Sequence, residues 1–406
     1  MSNWRHSTWG EEITLEYGKA LRGYGEARGA VRVFGTNGPV GWTDKSLANG
    51  PGVILGRKGA YRGVHFSPDP FFVIDTAYYV VPKSKLDMRW LYYAMIHHQL
   101  GQIDDGSPIP STTRAAVYPR DLAVPAMEDQ RAIAGVLGSL DDKIQQNRRT
   151  ARALDRLARA TFRAWFVDFE PVKAKAAGAT SFPSMPQGAF DALPTRFVQS
   201  EMDRSPEGWE VKPIGEVVSV KGGATPSTRN PEYWEGGVHY WATPRDMSRL
   251  SHPVLLETER RITDAGVACI SSGLLPVGTV LLSSRAPVGY LAVAAVPTAI
   301  NQGFIAMVCD GPLPPVYVLN WTYQSLDAIK ARASGATFPE ISKSSFRPMP
   351  VVVPPEPVVC GFKHVAEPLF DLLAAAERES LRLATLRDYL LPRLLNGSVT
   401  VKARNG

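Results

Sequence analysis

Arg148, Arg152, Arg156, Arg159 and Arg163 recur every three or four residues, so on a helix they form one face of guanidinium groups. From Lys143 to Arg163 the chain carries seven basic residues (Lys143, Arg148, Arg149, Arg152, Arg156, Arg159 and Arg163) against one acid, Asp155. Such a face can meet phosphates or an acidic protein surface, and a plain solvated helix face has the same pattern. The histidines His6, His65, His97, His98, His239, His252 and His364 form no HExxH or comparable ligand set. Cys269, Cys309 and Cys360 stand about 40 and 50 residues apart with no CxxC, which argues against a zinc site and against a disulfide framework. Ser283 and Ser284 precede Arg285, but no GxSxG elbow surrounds either serine.

Enzymes of nucleic acids leave further signatures, and these are missing. Phe34-Gly35-Thr36-Asn37-Gly38 misplaces the glycines of an FxGxG methyl-donor loop, and Asn230-Pro231-Glu232-Tyr233 has one proline where the companion tetrapeptide has two. Asp69 lies about seventy residues from Asp141 and Asp142, which fall in a helical stretch, so no metal-dependent nuclease set is read from them. No GxxxxGK[ST] loop is present, which excludes a nucleotide-driven motor. A binding subunit is therefore expected, with no catalytic residue and no metal.

The 406 residues are 44% hydrophobic and 21% charged, enough for two or three domains with full cores and too apolar for disorder. Lys+Arg 45 against Asp+Glu 39 gives a net charge of +6, a mild lean toward a polyanionic partner. The start, MSNWRHSTWGEE, lacks the cationic segment and apolar run of a signal peptide, and no run of 18 apolar residues occurs. A cytoplasmic protein is the expectation.

Two stretches position these groups. Ile133, Leu137, Leu140, Ile144, Asn147, Ala151, Leu154, Ala158, Thr161 and Trp165 alternate steps of four and three, after Pro125 and the N-terminal acids Glu128 and Asp129. Phe362, Val365, Leu369, Leu372, Ala376, Glu379, Leu383, Leu386 and Leu390 do the same, with Gly397 past the end. A stripe sustained over more than three heptads asks for a second helix to cover it, and each stretch is the obvious partner of the other. The expected seam is Ile133, Leu137, Leu140, Ile144 and Leu154 against Leu369, Leu372, Leu383, Leu386 and Leu390, with Asn147 and Glu379 as polar interruptions that set register. Elsewhere, short apolar runs such as Gly52–Gly56, Phe71–Ile74, Tyr78–Val81, Gly278–Leu282 and Val351–Val353 lie between turn residues and read as strands.

The two halves also align with each other. Gly106, Pro110, Pro119, Val124 and Pro125 match Gly335, Pro339, Pro348, Val353 and Pro354 at one constant offset, which also carries Ile133 onto Phe362 and Leu140 onto Leu369. Gly52, Leu55, Ala60 and Gly63 match Gly278, Leu281, Ala286 and Gly289 at a nearby offset, and Trp90 and Trp321 precede similar helical stretches. The chain is thus a tandem repeat of one mixed α+β unit followed by a long helix. Helices of about 40 residues extend roughly 60 Å, longer than one turn of a DNA duplex. Two diverged recognition surfaces related by an approximate two-fold are expected, each reading a different sequence.

Glu207-Gly-Trp209 with Ile214-Gly215, then Lys221-Gly-Gly-Ala-Thr-Pro-Ser227, Trp241-Ala-Thr-Pro-Arg-Asp246, Ser283–Gly289 and Ala299-Ile-Asn-Gln-Gly303, follow in a fixed order. In the first half Phe34–Gly41, Gly56-Arg-Lys-Gly59, Asp75–Tyr78 and Glu128-Asp-Gln-Arg-Ala-Ile133 occupy the corresponding places. In these motifs the chain resembles, over nearly its full length, the specificity subunits of Type I restriction-modification systems. It departs from them at Glu356-Pro-Val-Val-Cys360, where the family has a polar helix entry, which leaves the start of the distal helix open.

The resemblance implies an α+β fold with two pseudo-repeated target recognition domains separated by two long helices in an antiparallel coiled coil. The domains are then 1–125 and 207–355, with a central helix at 126–170, a connector at 171–206 and a distal helix at 356–397. Phe182, Met185, Phe190 and Phe197 suggest that the connector docks. Each recognition domain would read one half of a split DNA sequence, while the helices set the spacing and recruit two methyltransferase (modification) subunits that carry S-adenosylmethionine. A restriction subunit using ATP and Mg would join in some systems, so all chemistry would belong to partners. Polar and basic groups on Gly-rich loops are the candidate DNA contacts: Asn37, Arg57 and Lys58 in the first unit, and Thr225, Ser227, Arg229, Asn230, Arg245 and Arg285 in the second. Trp234 and Trp241 are read as core. The competing readings are a single-chain nuclease or methyltransferase with a divergent centre, and a coiled-coil scaffold that binds no DNA.

Overall fold

The computed structural model describes residues 4–26, 28–103, 109–200, 203–335 and 339–401. Gly106, one of the repeat positions, lies outside them. The chain forms two compact units, one built from residues up to Ile144 together with those from Leu381 onward, the other from Gln145–Ser380.

In the first unit the strands are β1 (Arg5–Thr8), β2 (Ile13–Tyr17), β3 (Val31–Gly35), β4 (Gly38–Thr43), β5 (Gly52–Gly56), β6 (Val64–Ser67), β7 (Phe71–Val73), β8 (Ala77–Pro82) and β9 (Asp121–Val124). They make a sheet of order β2-β8-β5-β6, a smaller sheet of order β4-β3-β7 and the pair β1-β9. Strand β5 is buried along its whole length because both of its faces are covered. Val53 and Leu55 pack with Trp90 and Leu91 of the Met88–His97 helix, while Ile54, on the opposite side of the pleat, packs with Phe34, Phe71 and Val73 of the small sheet. Asp87 caps that helix, its Oδ1 accepting from the amides of Arg89 and Trp90 at 3.0 and 2.9 Å.

In the second unit β10 (Phe197–Ser200) and β11 (Asp203–Pro206) form a hairpin in the connector. They are followed by β12 (Glu210–Pro213), β13 (Ser219–Lys221), β14 (His239–Ala242), β15 (Val254–Leu255), β16 (Arg260–Ile262), β17 (Val280–Ser283), β18 (Leu291–Ala294), β19 (Thr298–Ile300), β20 (Phe304–Val308) and β21 (Pro350–Val353). Their sheets run β13-β20-β17-β18-β15, β16-β14-β19 and β12-β21. Apart from the added edge strand β15, this is the arrangement of the first unit, down to the one parallel pair in each small sheet, β3 with β7 and β14 with β19. The same two-sided logic holds: Val280 and Leu282 pack under Tyr317 and Val318 of the Pro315–Gln324 helix, and Leu281 packs with Ala242, Ile300 and Phe304. Met185 and Phe190 of the connector are buried in the first of these clusters, and Phe182 and Phe197 pack against it.

The central helix runs Met127–Phe166 and the distal helix Glu356–Leu395, each passing from one unit into the other. Within the first unit, Arg387 Nη1 donates to Asp141 Oδ1 at 2.7 Å, and Ile133 and Leu137 share a core with Leu394 and Leu395. Within the second, Asn147 Nδ2 donates to Glu379 Oε2 at 2.8 Å, Ala151 and Leu154 pack with Leu373 and Ala374, and Trp165 and Phe166 meet the ring of Phe362. Partners therefore fall along one helix as they rise along the other, the antiparallel pairing. The polar residues Asn147 and Glu379 bond to each other.

The phase of the distal stripe differs from the expected one. Leu372 and Leu386 are 59% and 44% exposed, whereas Ala366, Leu373, Ser380 and Leu394 are buried, with the half-buried Arg387 in the same heptad position. Leu369, Leu383 and Leu390 are half-buried, as are Leu140 and Leu154 on the central helix, where Ile133, Leu137 and Ile144 are fully covered. The seam thus alternates 369, 373, 376, 380, 383, 387, 390 and 394. Its serine and arginine hide it from a pattern that counts only apolar residues, because Ser380 satisfies its hydroxyl on Ala376 O at 2.8 Å and Arg387 its charge on Asp141.

Replacing Leu373 by Ala should therefore cost about 2–4 kcal/mol, and replacing Leu372 by Ala less than about 0.5 kcal/mol, as read from urea unfolding. The reverse order would place the seam on the other phase.

Candidate nucleic-acid interface

In the second unit the candidate residues fall on three loops that meet at residues 301–303. The loop 222–230 leaves β13 with Gly223 so close to β19 that an added Cβ would stand 1.9 Å from Ile300 O, so only glycine fits there. Ala224 N donates to Ile300 O at 3.1 Å and Thr225 Oγ1 to Gln302 Oε1 at 2.6 Å. Two indoles hold the rest of the loop: Trp241 Nε1 donates to Ala224 O at 3.2 Å and Trp234 Nε1 to Ser227 O at 3.0 Å. The rings of Trp234 and Trp241 stand edge to face at 5.0 Å, and Arg260 lies 3.5 Å from the centre of the Trp234 ring. Trp241 is core, as expected, and the half-buried Trp234 braces the loop.

Ser227 and Arg229 are exposed, and Arg229 has no ion pair among the described residues. Asn230 has a local task, its carboxamide oxygen accepting from Glu232 N at 3.2 Å to cap a short helical turn.

The β17–β18 loop carries Arg285. Ser283 is fully buried, and its hydroxyl donates to Pro287 O at 2.7 Å and accepts from Gly289 N and Tyr290 N at 3.1 and 2.8 Å, so it closes the loop. Arg245 lies in the Pro244–Ser248 helical turn, and an open cleft of about 490 Å³ separates it from Arg285, with Ser248, Tyr290, Asn301 and Gly303 also on its walls. Both arginines sit loosely beside acids, Arg245 Nε 3.7 Å from Glu259 and Arg285 Nη1 3.6 Å from Glu340. These contacts are long and part-exposed, so an incoming phosphate or base edge can displace them at small cost. Asn301 spends its side-chain oxygen on Gly303 N at 2.8 Å, which leaves its amide NH2 without a partner among the described residues. Tyr290, Asn301 and Gln302 were not singled out from sequence, although the motif Ala299–Gly303 marked the place.

In the first unit the β5–β6 loop holds Arg57 and Lys58, and the β3–β4 hairpin turn holds Asn37. Thr36 joins them: its Oγ1 donates to Lys58 O at 2.7 Å, and its carbonyl accepts from Gly63 N at 2.9 Å. Asn37 and Lys58 are both exposed on these adjoined turns. Arg57 is more withdrawn, its guanidinium 5.1 Å from the centre of the Tyr17 ring.

On the central helix, Arg148, Arg152 and Arg156 are exposed and carry no ion pair among the described residues. The expected five-arginine face is shorter than its spacing implies. Arg159 lies 3.5 Å from the Tyr323 ring centre and pairs with Asp155 at 2.9 Å, and Arg163 pairs with Asp168 at 3.0 Å.

His65 lies beneath the two joined turns of the first unit, between Gly38 and Gly63, with its Nε2 buried and unpartnered among the described residues. Burial holds its imidazole below the usual range, and His97 and His98 shift the same way. A depressed folded-state value means that the unfolded chain binds more protons, so stability is lost as pH falls below about 6.5. A His65→Leu variant should show a shallower loss of its urea midpoint between pH 7.5 and 5 than the parent chain. An identical slope would remove His65 from this account.

Residues 206–358 match the family described as the Type I restriction modification DNA specificity domain. The chain is 36% identical over 162 residues to the specificity subunit of the Type I restriction enzyme MjaIX of Methanocaldococcus jannaschii, a match spanning 39% of this chain and only 37% of that subunit. It is 26% identical over 376 residues to the HindI specificity subunit of Haemophilus influenzae, with 81% of each chain covered. The fold is that of the S subunit of the Type I restriction-modification system of M. genitalium, with a TM-score of 0.65 over 97% of this chain and 96% of that one at 16% identity. The second unit thus carries the match to the Type I restriction modification DNA specificity domain, and the first unit repeats its strand order.

Proposed function

We propose that each unit reads one half of a bipartite, asymmetric DNA site. The observation that carries this is the repeated topology with unlike loops: the β5–β6 loop offers Arg57 and Lys58 where the β17–β18 loop offers Arg285, and Asn37 and Arg245 stand on turns beside them. A shared scaffold with different polar groups reads two different sequences. Arginine and lysine pair with guanine and asparagine with adenine in the major groove, and the same groups hold phosphates where they meet the backbone. Thr225, Ser227, Arg229 and Asn230 line the approach to the second half-site. Arg148, Arg152 and Arg156 form the partner or DNA-backbone face, with Arg159 and Arg163 fixed at its end.

In this reading the chain recruits two methyltransferase subunits, which bind S-adenosylmethionine and modify adenine. Where a restriction subunit joins, it uses ATP and Mg. The purified chain alone then neither methylates nor cleaves DNA, whereas a single-chain nuclease or methyltransferase would do so.

In the complex with its modification subunits, Arg285→Ala should cost about 1–3 kcal/mol in binding and relax discrimination in one half-site only. Lys58→Ala should act on the other half or, as a phosphate contact, weaken all sequences alike and lower the salt slope by about one. Competition binding with duplexes altered in either half checks this. Relaxation of both halves by one substitution would contradict the assignment of one half to each unit.

A further inference from the structure

We infer that Tyr61 is a stacking wedge of the first unit, its ring lying against a base at the half-site while Lys58 meets the neighbouring backbone. The inference rests on the reading of that unit as a DNA half-site reader. Tyr61 is 79% exposed, more than any other large apolar side chain among the described residues, and it makes no hydrogen bond or ring contact among them. A side chain left so bare contributes nothing to the core.

The loop beneath it is firmly held. Gly56 N donates to Gly63 O at 2.8 Å, Arg57 N to Thr76 O at 3.0 Å, Gly59 N to Pro110 O at 3.0 Å and Thr112 N to Arg57 O at 2.9 Å. Arg62, next to Tyr61, does not face outward as a free cation. It donates to Gly59 O at 2.6 Å, Ile103 O at 2.7 Å and Thr112 Oγ1 at 3.2 Å, bracing the loop against a second segment. The tip is therefore presented in a fixed geometry, and binding through it loses little conformational entropy.

Charge indicates the occupant. Lys58 is exposed on the same loop as Tyr61, Arg57 and Arg62 add charge behind it, and no acidic residue lies between Gly52 and Pro68, so a polyanion is attracted. Among polyanions, a nucleic acid also offers flat apolar faces, which an aromatic ring covers by stacking on a base or wedging into a base step. The ring face carries the interaction and the hydroxyl is dispensable.

The test uses the intact chain assembled with its modification subunits and a duplex carrying the recognition sequence. Tyr61→Ala should weaken binding by roughly ten- to a hundredfold, with Tyr61→Phe and Tyr61→Trp close to the parent and Tyr61→Lys unable to restore it. The slope of affinity against salt should stay unchanged in Tyr61→Ala, since no phosphate contact is lost. A 2-aminopurine in the half read by the first unit should change fluorescence with the parent and Tyr61→Phe but not with Tyr61→Ala. Parental affinity of Tyr61→Ala, rescue by Tyr61→Lys, or a loss confined to assembly with the modification subunits would overturn the inference. If the parent complex itself shows no preference for the recognition sequence, the reading of the first unit fails and the wedge falls with it.

Discussion

A 40-residue helix with an apolar stripe along one side cannot stand alone in water, and here each of two such helices covers the stripe of the other. That requirement sets much of the organisation. Because both helices pass through both units, the first unit is assembled from two chain segments, and residues from Leu381 onward complete the core begun by the residues up to Ile144. The polar seam positions fix register: Asn147 finds Glu379, and Asp141 takes both the guanidinium of Arg387 and, at 2.6 Å, the hydroxyl of Tyr93. A sliding of one helix by a turn would leave the buried Asn147 and the half-buried Asp141 and Arg387 without these partners, a cost added to the loss of apolar contacts.

On this frame the two units solve one problem in the same way. A central strand buried on both faces anchors a Gly-rich loop at its end, and the loop is locked by bonds from its own neighbours: Ser283 in the second unit, Thr36 and Arg62 in the first. Rigid loops on a rigid sheet suit recognition, since groups already in place lose little entropy when they meet a ligand. The polar tips differ between the units while the scaffold does not. Specificity can therefore diverge without disturbing the core.

Much of this was legible in the residues. The repeat positions Gly63 and Gly289 fall in the same loop of each unit, but Leu55 faces the helix and Leu281 the small sheet, so within the strand the true equivalent of Leu281 is Ile54, one residue from the match read in the sequence. The long helices and the Asn147 and Glu379 interruptions were readable. The seam's phase was not: Ser380 and Arg387 occupy covered positions, and only their partners, Ala376 O and Asp141, make that tolerable. Nor could the meeting of Arg245, Arg285 and Asn301 around one cleft be read, since it depends on how strands β14, β17 and β19 bring distant loops together. Arg62 was not singled out in the sequence, and its three acceptors identify it as a brace.

The central claim is that this chain directs modification to one split sequence. The most direct measurement is a genome-wide map of methylated adenines in the source organism, compared with a strain lacking this gene alone. The account predicts the loss of a single bipartite, asymmetric motif with a fixed gap. Survival of every methylated motif in a strain whose parent expresses the assembled complex would contradict it.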